Sequence, residues 1–296
     1  MTARPSAILL AFVLTTVPST AHAYQPAEIL FTFQDNSIAE SSGLASSSQP
    51  DILFTHNDSG DQARFFAVGP DGETRATFLI VGAVAVDWED VARGPGADGS
   101  PALFFADIGD NSHVHPFIAI YEVPEPVIDG SSPDDVRTVL ARRHVLVYED
   151  LGRHDAETLL VDVAAYGRFA IITKDRLGNS LLFEAEGPPD DPIRVLRRTA
   201  DLPLWSFAPI VVEPGVEATG GDIAPDRSRF IVRTYWYAFE WILGPDRSLA
   251  EALGEAPAVI ELPETIQGEA IAYTAGGTDL LISSEGTGAP VHILRG

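Results

Sequence analysis

The sequence predicts an all-β protein folded as a β-propeller. Three observations carry this: five internal repeats, short apolar strands set between Gly, Pro and Asp clusters, and almost no helical periodicity. The repeats open on leads reading Glu40-Ser-Ser-Gly-Leu-Ala, Asp87-Trp-Glu-Asp-Val-Ala, Asp155-Ala-Glu-Thr-Leu-Leu, Thr219-Gly-Gly-Asp-Ile-Ala and Gln267-Gly-Glu-Ala-Ile-Ala. With Leu44, Val91, Leu159, Ile223 and Ile271 taken as equivalent, the intervals are 47, 68, 64 and 48 residues. Those lengths suit four-stranded blades of about 40–50 residues, with extra loop in the second and third. Five blades are expected. Apolar residues between Leu204 and Val216 find no place in this scheme and hold open a sixth.

Each element follows from the same pattern. Ahead of the first lead, Ile29-Leu-Phe-Thr-Phe reads as a strand. Second strands are expected at Ile52-Leu-Phe-Thr, Ala102-Leu-Phe-Phe-Ala, Phe169-Ala-Ile-Ile-Thr, Phe230-Ile-Val-Arg and Leu280-Leu-Ile-Ser. Third strands follow at Phe65-Phe-Ala-Val, Ile118-Ala-Ile-Tyr, Leu181-Leu-Phe-Glu, Phe239-Glu-Trp-Ile and Val291-His-Ile-Leu. Runs this apolar suit sheets covered on both faces. Thr77-Phe-Leu-Ile, His144-Val-Leu-Val-Tyr, Ile193-Arg-Val-Leu and Ala258-Val-Ile-Glu-Leu precede the later leads, whereas the chain ends after a third strand. The N-terminal strand is therefore expected to complete the last sheet and close the ring, leaving no open edge. Trp88, Trp236 and Trp241 are expected as wedges between blades.

The first 23 residues read as a secretory signal peptide: Arg4, an uncharged apolar run from Ala7 to Val17, and Ala21-His22-Ala23 as the cleavage site. Pro18 cuts the run too short for a membrane span. Residues 24–296 are then expected as one exported domain, secreted or periplasmic, with no membrane insertion after cleavage. There is no cysteine, which excludes disulfides and thiolate-bound zinc. Forty-three Asp and Glu against nineteen Lys and Arg give a formal charge of −24, which repels nucleic acid and anionic lipid. No G-x-S-x-G elbow, P-loop, H-E-x-x-H or dinucleotide fingerprint is present, so serine-triad and nucleotide-cofactor chemistry are poor readings.

In a propeller the loops leading into the inner strands share one face with those joining the second and third strands. The leads would set Glu40, Asp87, Glu89, Asp155, Glu157, Asp222 and Glu269 around one mouth of the channel. The loops at His56-Asn-Asp58-Ser-Gly-Asp61, Asp107-Ile-Gly-Asp110-Asn111, Lys174-Asp175-Arg176, Arg233-Thr-Tyr235 and Ser284-Glu285-Gly286 would join them. Like charges so close raise one another's pKa, and a hard divalent ion relieves them. Ca²⁺ takes six to eight oxygens in flexible geometry from several loops, so Ca²⁺ is the expected cofactor. Asp and Asn before Gly are also ordinary turn residues, but turn chemistry has no need of Glu. His56 is placed as a general base or a transition-metal ligand, with weaker cases for His113, His115 and His154. Lys174 and Arg233 are placed either to clamp an anion or to pair with the carboxylates.

The set Ser-Ser-Gly-Leu-Ala, Thr-His-Asn-Asp-Ser-Gly-Asp, Asp-Trp-Glu-Asp-Val-Ala, Ala-Asp-Ile-Gly-Asp-Asn and Gly-Glu-Ala-Ile-Ala resembles a group of exported bacterial propeller proteins, from about Ser37 to Leu294. More loosely, acids opening the inner strands are similar to the pattern of the calcium-activated nucleotidases, five-bladed propellers with Ca²⁺ in the channel. The phytase-like and gluconolactonase–paraoxonase propellers are similar too. This resemblance implies the fold and a metal role for Glu40, Glu89, Glu157, Asp222 and Glu269; the nucleotidase substrate loops have no counterpart here. The expected function is a Ca²⁺-dependent hydrolase of a small anionic substrate, a phosphoester first and a lactone or ester second. The alternative is a non-catalytic, Ca²⁺-stabilised propeller that binds an extracellular glycan or protein.

Overall fold

The computed structural model describes residues 23–130, 132, 134–210 and 215–296. Apart from Ala23, the expected signal peptide lies outside these residues. The chain begins with β1 (Glu28–Thr32), then β2 (Ser41–Ser46), β3 (Leu53–Asn57), β4 (Arg64–Val68) and β5 (Thr74–Val81). The second repeat supplies β6 (Trp88–Pro95), β7 (Pro101–Asp107), β8 (Ile118–Pro124), β9 (Val136–Leu140) and β10 (Arg142–Tyr148). The third supplies β11 (Ala156–Val161), β12 (Phe169–Thr173), β13 (Asn179–Ala185) and β14 (Arg194–Pro203). The fourth supplies β15 (Gly220–Ile223), β16 (Arg229–Arg233), β17 (Tyr237–Ile242) and β18 (Ala258–Glu261), with a short helix α1 (Leu249–Leu253) before β18. The last supplies β19 (Ile271–Tyr273), β20 (Leu280–Ile282) and β21 (Pro290–Leu294).

Every strand expected from the repeats is present, within a few residues at its ends except that β14 continues past the expected Leu196 to Pro203. The fold is all-β, in sheets of four to eight strands, an arrangement consistent with a propeller. Strands β2 to β5 form one sheet in order, and β15 to β18 another. The series β6-β7-β8-β10 and β11-β12-β13-β14 merge into eight strands through a parallel pairing of β10 with β14. In the sheet β19-β20-β21-β1, Glu28 stands opposite Ile293, so the N-terminal strand does complete the last sheet. The innermost strands β2, β6, β11, β15 and β19 neighbour one another in turn, and β19 returns to lie beside β2.

Two stretches depart from expectation. The second repeat's extra loop contains β9, which runs parallel to the outer strand β5 of the preceding sheet. Its residues alternate between exposed and half-buried, so its place comes from a neighbour's open edge and not from an apolar run. The stretch from Leu204 forms a 3-10 turn, Leu204–Ser206, and adds no strand among the described residues; Leu204 and Val216 are simply buried in the core. Residues 211–214 of that stretch lie outside those described.

Aromatic side chains fill the gaps between adjacent sheets. Phe65, Phe78, Phe105 and Trp88 stack in series between the first and second repeats. Trp241 stacks on Phe230 at 5.2 Å. Trp88 and Trp241 are buried as expected, but Trp236 is 39% exposed and is no wedge. Among the described residues no helix is long and apolar enough to cross a membrane.

Candidate metal centre

The inner strands β2, β6 and β11 each carry a register shift at the same place, skipping Ser42, Glu89 and Glu157 respectively. A bulge of this kind re-aims the skipped side chain. The structure thereby sorts the acidic leads into three registers relative to Leu44, Val91, Leu159, Ile223 and Ile271. Four residues before, Glu40, Asp87 and Asp155 stand on the rim. Two residues before, Glu89, Glu157 and Glu269 are buried in the mouth. One residue before, Asp90 and Asp222 turn into the stack of inner strands.

Oxygens of Asp58, Asp87 and Glu89 lie within 4.8 Å of one another, and so do those of Asp58, Glu269 and Glu285. Asp58, shared by both groups, ties five carboxylates together. Asp58 and Glu285 come from the loops after β3 and β20, where their N–H groups bond to the carbonyls of Glu40 and Gln267, each four residues ahead of its inner-strand reference. Sequence reasoning placed both loops at the mouth but did not pick out these two carboxyls. The signal available was that each occupies the first polar turn after a second strand. Gln267 Nε2 bridges Glu269 at 2.8 Å and Glu285 at 3.0 Å. A Cβ on Gly109 would stand 2.1 Å from Glu89 Oε1 and 2.6 Å from Asp87 Oδ2, so the Asp107-Ile-Gly-Asp-Asn loop passes the cluster only because it has glycine there.

The electrostatics are those of crowded like charges. Burial, then the neighbouring Glu269, Asp87 and Glu40, push the Asp58 carboxyl up to about 6. Burial and then Glu269 push Glu285 up to about 8. Glu89 is raised well above the carboxylate range by burial and by Glu157, Asp58, Asp87 and Glu269. Glu157 Oε2 and Glu269 Oε2 are buried with no hydrogen-bond partner among the described residues. An all-oxygen donor set with orphaned carboxylate oxygens fits a hard divalent cation such as Ca²⁺.

Other expected residues sit elsewhere. Asp222 does not join the mouth: its oxygens accept the N–H groups of Ile223 and Tyr273, both at 2.8 Å, which staples β15 to β19. Glu40 is an exposed rim residue that pairs through its backbone with Glu285. Asp155 accepts from Asp110 N–H at 2.9 Å. Asp61 and Asp110 serve their own turns, as ordinary turn chemistry predicts, whereas Asn57 Oδ1 accepts the N–H groups of Ala39 and Glu40 and so ties the β3 loop to the first lead.

His56 is not at the mouth. It lies one residue before the end of β3, fully buried edge-on against Trp88 and Phe105, and burial lowers its pKa to about 4. Arg233 is likewise buried. It ends β16, one residue short of the position Lys174 holds after β12, and donates to the carbonyls of Ala270 and Ser283 in the last repeat. Of the two cations only Lys174 reaches the site, where Nζ pairs with Glu157 Oε1. Burial works against its ammonium, but the Glu157 carboxylate beside it holds its pKa above the ordinary lysine value.

Beside the cluster lies an open cavity of about 940 Å³ walled by His113, Asp155, Lys174, Arg176, Glu217 and Tyr235. Its histidine is His113, whose Nδ1 stands 2.8 Å from the Arg153 carbonyl. That contact fixes the proton on Nδ1 and leaves Nε2 as the basic atom. In the sequence alone His113 carries a weaker case than His56.

No family model matches the chain, and no curated protein matches it. Among solved structures the chain is similar to a gluconolactonase from Xanthomonas campestris, at 14% identity over 86% of this chain and 71% of that one, with a TM-score of 0.47.

Proposed function

We propose that this chain is an exported five-bladed propeller, one domain over residues 24–296, that hydrolyses a small anionic ester with the aid of a bound Ca²⁺ ion. A phosphoester is the first substrate class and a lactone or carboxylic ester the second. The observation that carries the reading is the five-carboxylate cluster of Asp58, Asp87, Glu89, Glu269 and Glu285, opening beside a cavity walled by Lys174, Arg176 and His113. Those five residues would hold the ion, which when bound supplies a Lewis acid toward the substrate oxygen. Lys174 and Arg176 attract the anionic end of the substrate into an otherwise acidic face. His113 Nε2 accepts a proton from the attacking water, a role the sequence assigned to His56. Asp155, in the cavity wall and electrostatically coupled to Asp87, joins the cavity to the cluster.

Turnover on a panel of phosphoesters and lactones is expected to disappear on chelation and to return with Ca²⁺, and His113→Gln is expected to lower kcat by about 10²–10⁴-fold. Turnover indifferent to chelation would overturn the reading. A second reading keeps the ion as a staple and makes this face a recognition surface for a glycan or protein. Trp236, exposed next to the cavity residue Tyr235, favours it, since exposed aromatics are common in ligand platforms. A Ca²⁺-dependent melting temperature with no turnover on any panel member would select it.

A further inference from the structure

A second opening on the mouth face belongs to neither the cluster nor the large cavity. It is a cleft of about 320 Å³ between the β5–β6 loop and the β7–β8 loop, lined by Val84, Val86, Pro116, Phe117 and Ala119 over a floor of Tyr121. Val84, Val86 and Phe117 are 62%, 48% and 43% exposed, although Val86 stands two residues before buried Trp88 and Phe117 one before buried Ile118. Exposed apolar side chains also stand singly on other loops, Leu151 and Ile266 among them, but here three line one concave site, and water-exposed apolar walls on a concave site mark ligand binding. The volume falls at the small end of the range for small-molecule sites, about 300–1,000 Å³.

The polar groups of the cleft are few and separated. Arg143 lines it, its guanidinium 5.3 Å over the Phe117 ring. It has no carboxylate partner among the described residues, in a chain where acids outnumber bases forty-three to nineteen. Tyr121 is 3% exposed; its hydroxyl accepts from Val84 N–H at 3.4 Å and donates to no protein group among the described residues. At the inner end stand Asp107 and His115, and Val86 directly precedes the cluster residue Asp87.

We infer that this cleft binds the apolar body of a small anionic amphiphile, an aryl or short-chain acyl group bearing a carboxylate, sulfonate or phosphate, with the anion at Arg143. An apolar wall excludes purely polar ligands, and the free guanidinium beside an aromatic face selects an anion carried on an apolar frame. Binding itself requires no metal. Its role as the subsite for the apolar part of the substrate rests on the hydrolase reading above, because the cleft adjoins Asp87.

The test is titration of the full-length mature protein with 1-anilinonaphthalene-8-sulfonate, an aryl body carrying one sulfonate, in chelator and again in Ca²⁺. One saturable site is expected in both media, weakened at least tenfold in Arg143→Ser, in Phe117→Ser and in Val84→Asp. Leu151→Ser and Leu177→Ser alter exposed apolar side chains outside the cleft and are expected to bind as the parent does. All five positions are exposed, and unchanged melting temperatures identify variants that have kept the fold. Binding that survives the three cleft substitutions, or that falls equally in the two controls, overturns the proposal. Binding lost with metal removal overturns its metal independence. Binding intact while chelation leaves turnover unaffected sinks the hydrolase reading and leaves the cleft standing.

Discussion

Glu89 and Asp90 are consecutive residues of β6, both almost completely buried, and burial is the first reason that both carboxyls titrate well above their ordinary range. What differs is what meets their oxygens. Asp90 Oδ1 accepts Val91 N–H at 2.8 Å and Oδ2 accepts Leu159 N–H at 2.9 Å, so one carboxyl ties β6 to β11. Asp222 repeats the arrangement between β15 and β19. Glu89, displaced by a bulge, meets Asp58 and Asp87 instead, with no donor on its oxygens among the described residues. A buried acid is therefore not evidence of a site by itself; an acid whose acceptors are left to other acids is.

The comparison breaks most sharply at Asp90. Asp90→Ala strips the acceptor from two buried N–H groups at about 1–3 kcal/mol each, so a stability loss of about 2–6 kcal/mol is expected in denaturant titration. The Ca²⁺ response should survive it, because the cluster oxygens come from other residues. A loss confined to the Ca²⁺ response, with apo stability intact, would place Asp90 in the metal site and dissolve the contrast.

Glu89→Gln should do the reverse. Removing one like charge from the cluster leaves apo stability unchanged or slightly higher. In the parent, Ca²⁺ at a hundred times its Kd adds about 2.7 kcal/mol through linkage. That gain should vanish in the variant, read as the difference in melting temperature with and without Ca²⁺. A gain retained in full would show that the mouth carboxylates hold no cation.

Much of this architecture was legible because its strands announce themselves one at a time: Phe169–Thr173 is an apolar run bounded by turn residues, and it is a strand over those same residues. β9 was not legible, since Val136–Leu140 is held by pairing with β5 and not by its own pattern. At the site, repetition showed which face the acids share but not which register each occupies. Asp222 and Glu269 look interchangeable in the leads; one residue of offset sends Asp222 into a backbone staple and Glu269 into the cluster. His56 and Arg233 failed the same way, for a step of one or two along a strand end turns a side chain from the loop face into the interface between sheets. Asp58 and Glu285 were hidden because a loop carboxyl reads first as turn chemistry.

The smallest effect expected is a pH drift, and it separates the two kinds of carboxyl without any substitution. Asp58 and Glu285, raised in the fold to about 6 and about 8 from ordinary values of 3.8 and 4.5, hold protons that the unfolded chain releases. Their contribution to stability is whole below the unfolded values and is lost as pH climbs through the folded ones, so the metal-free protein should weaken with rising pH. His56 acts in the opposite sense, since its pKa is lowered to about 4 from 6.5: the stability it lends above 6.5 is lost on acidification. The two trends oppose each other below pH 6.5, which leaves pH 6.5 to 8 as the clean window. Asp222, raised to about 7 by burial, weakens the fold across that window whether or not metal is present. Ca²⁺ binding displaces protons from the cluster alone, so the Ca²⁺-induced rise in melting temperature should grow from pH 6.5 to 8. A rise that stays constant across the window would mean that the carboxyls which titrate there are Asp222 and its kind, and that the mouth cluster is already ionised without a cation.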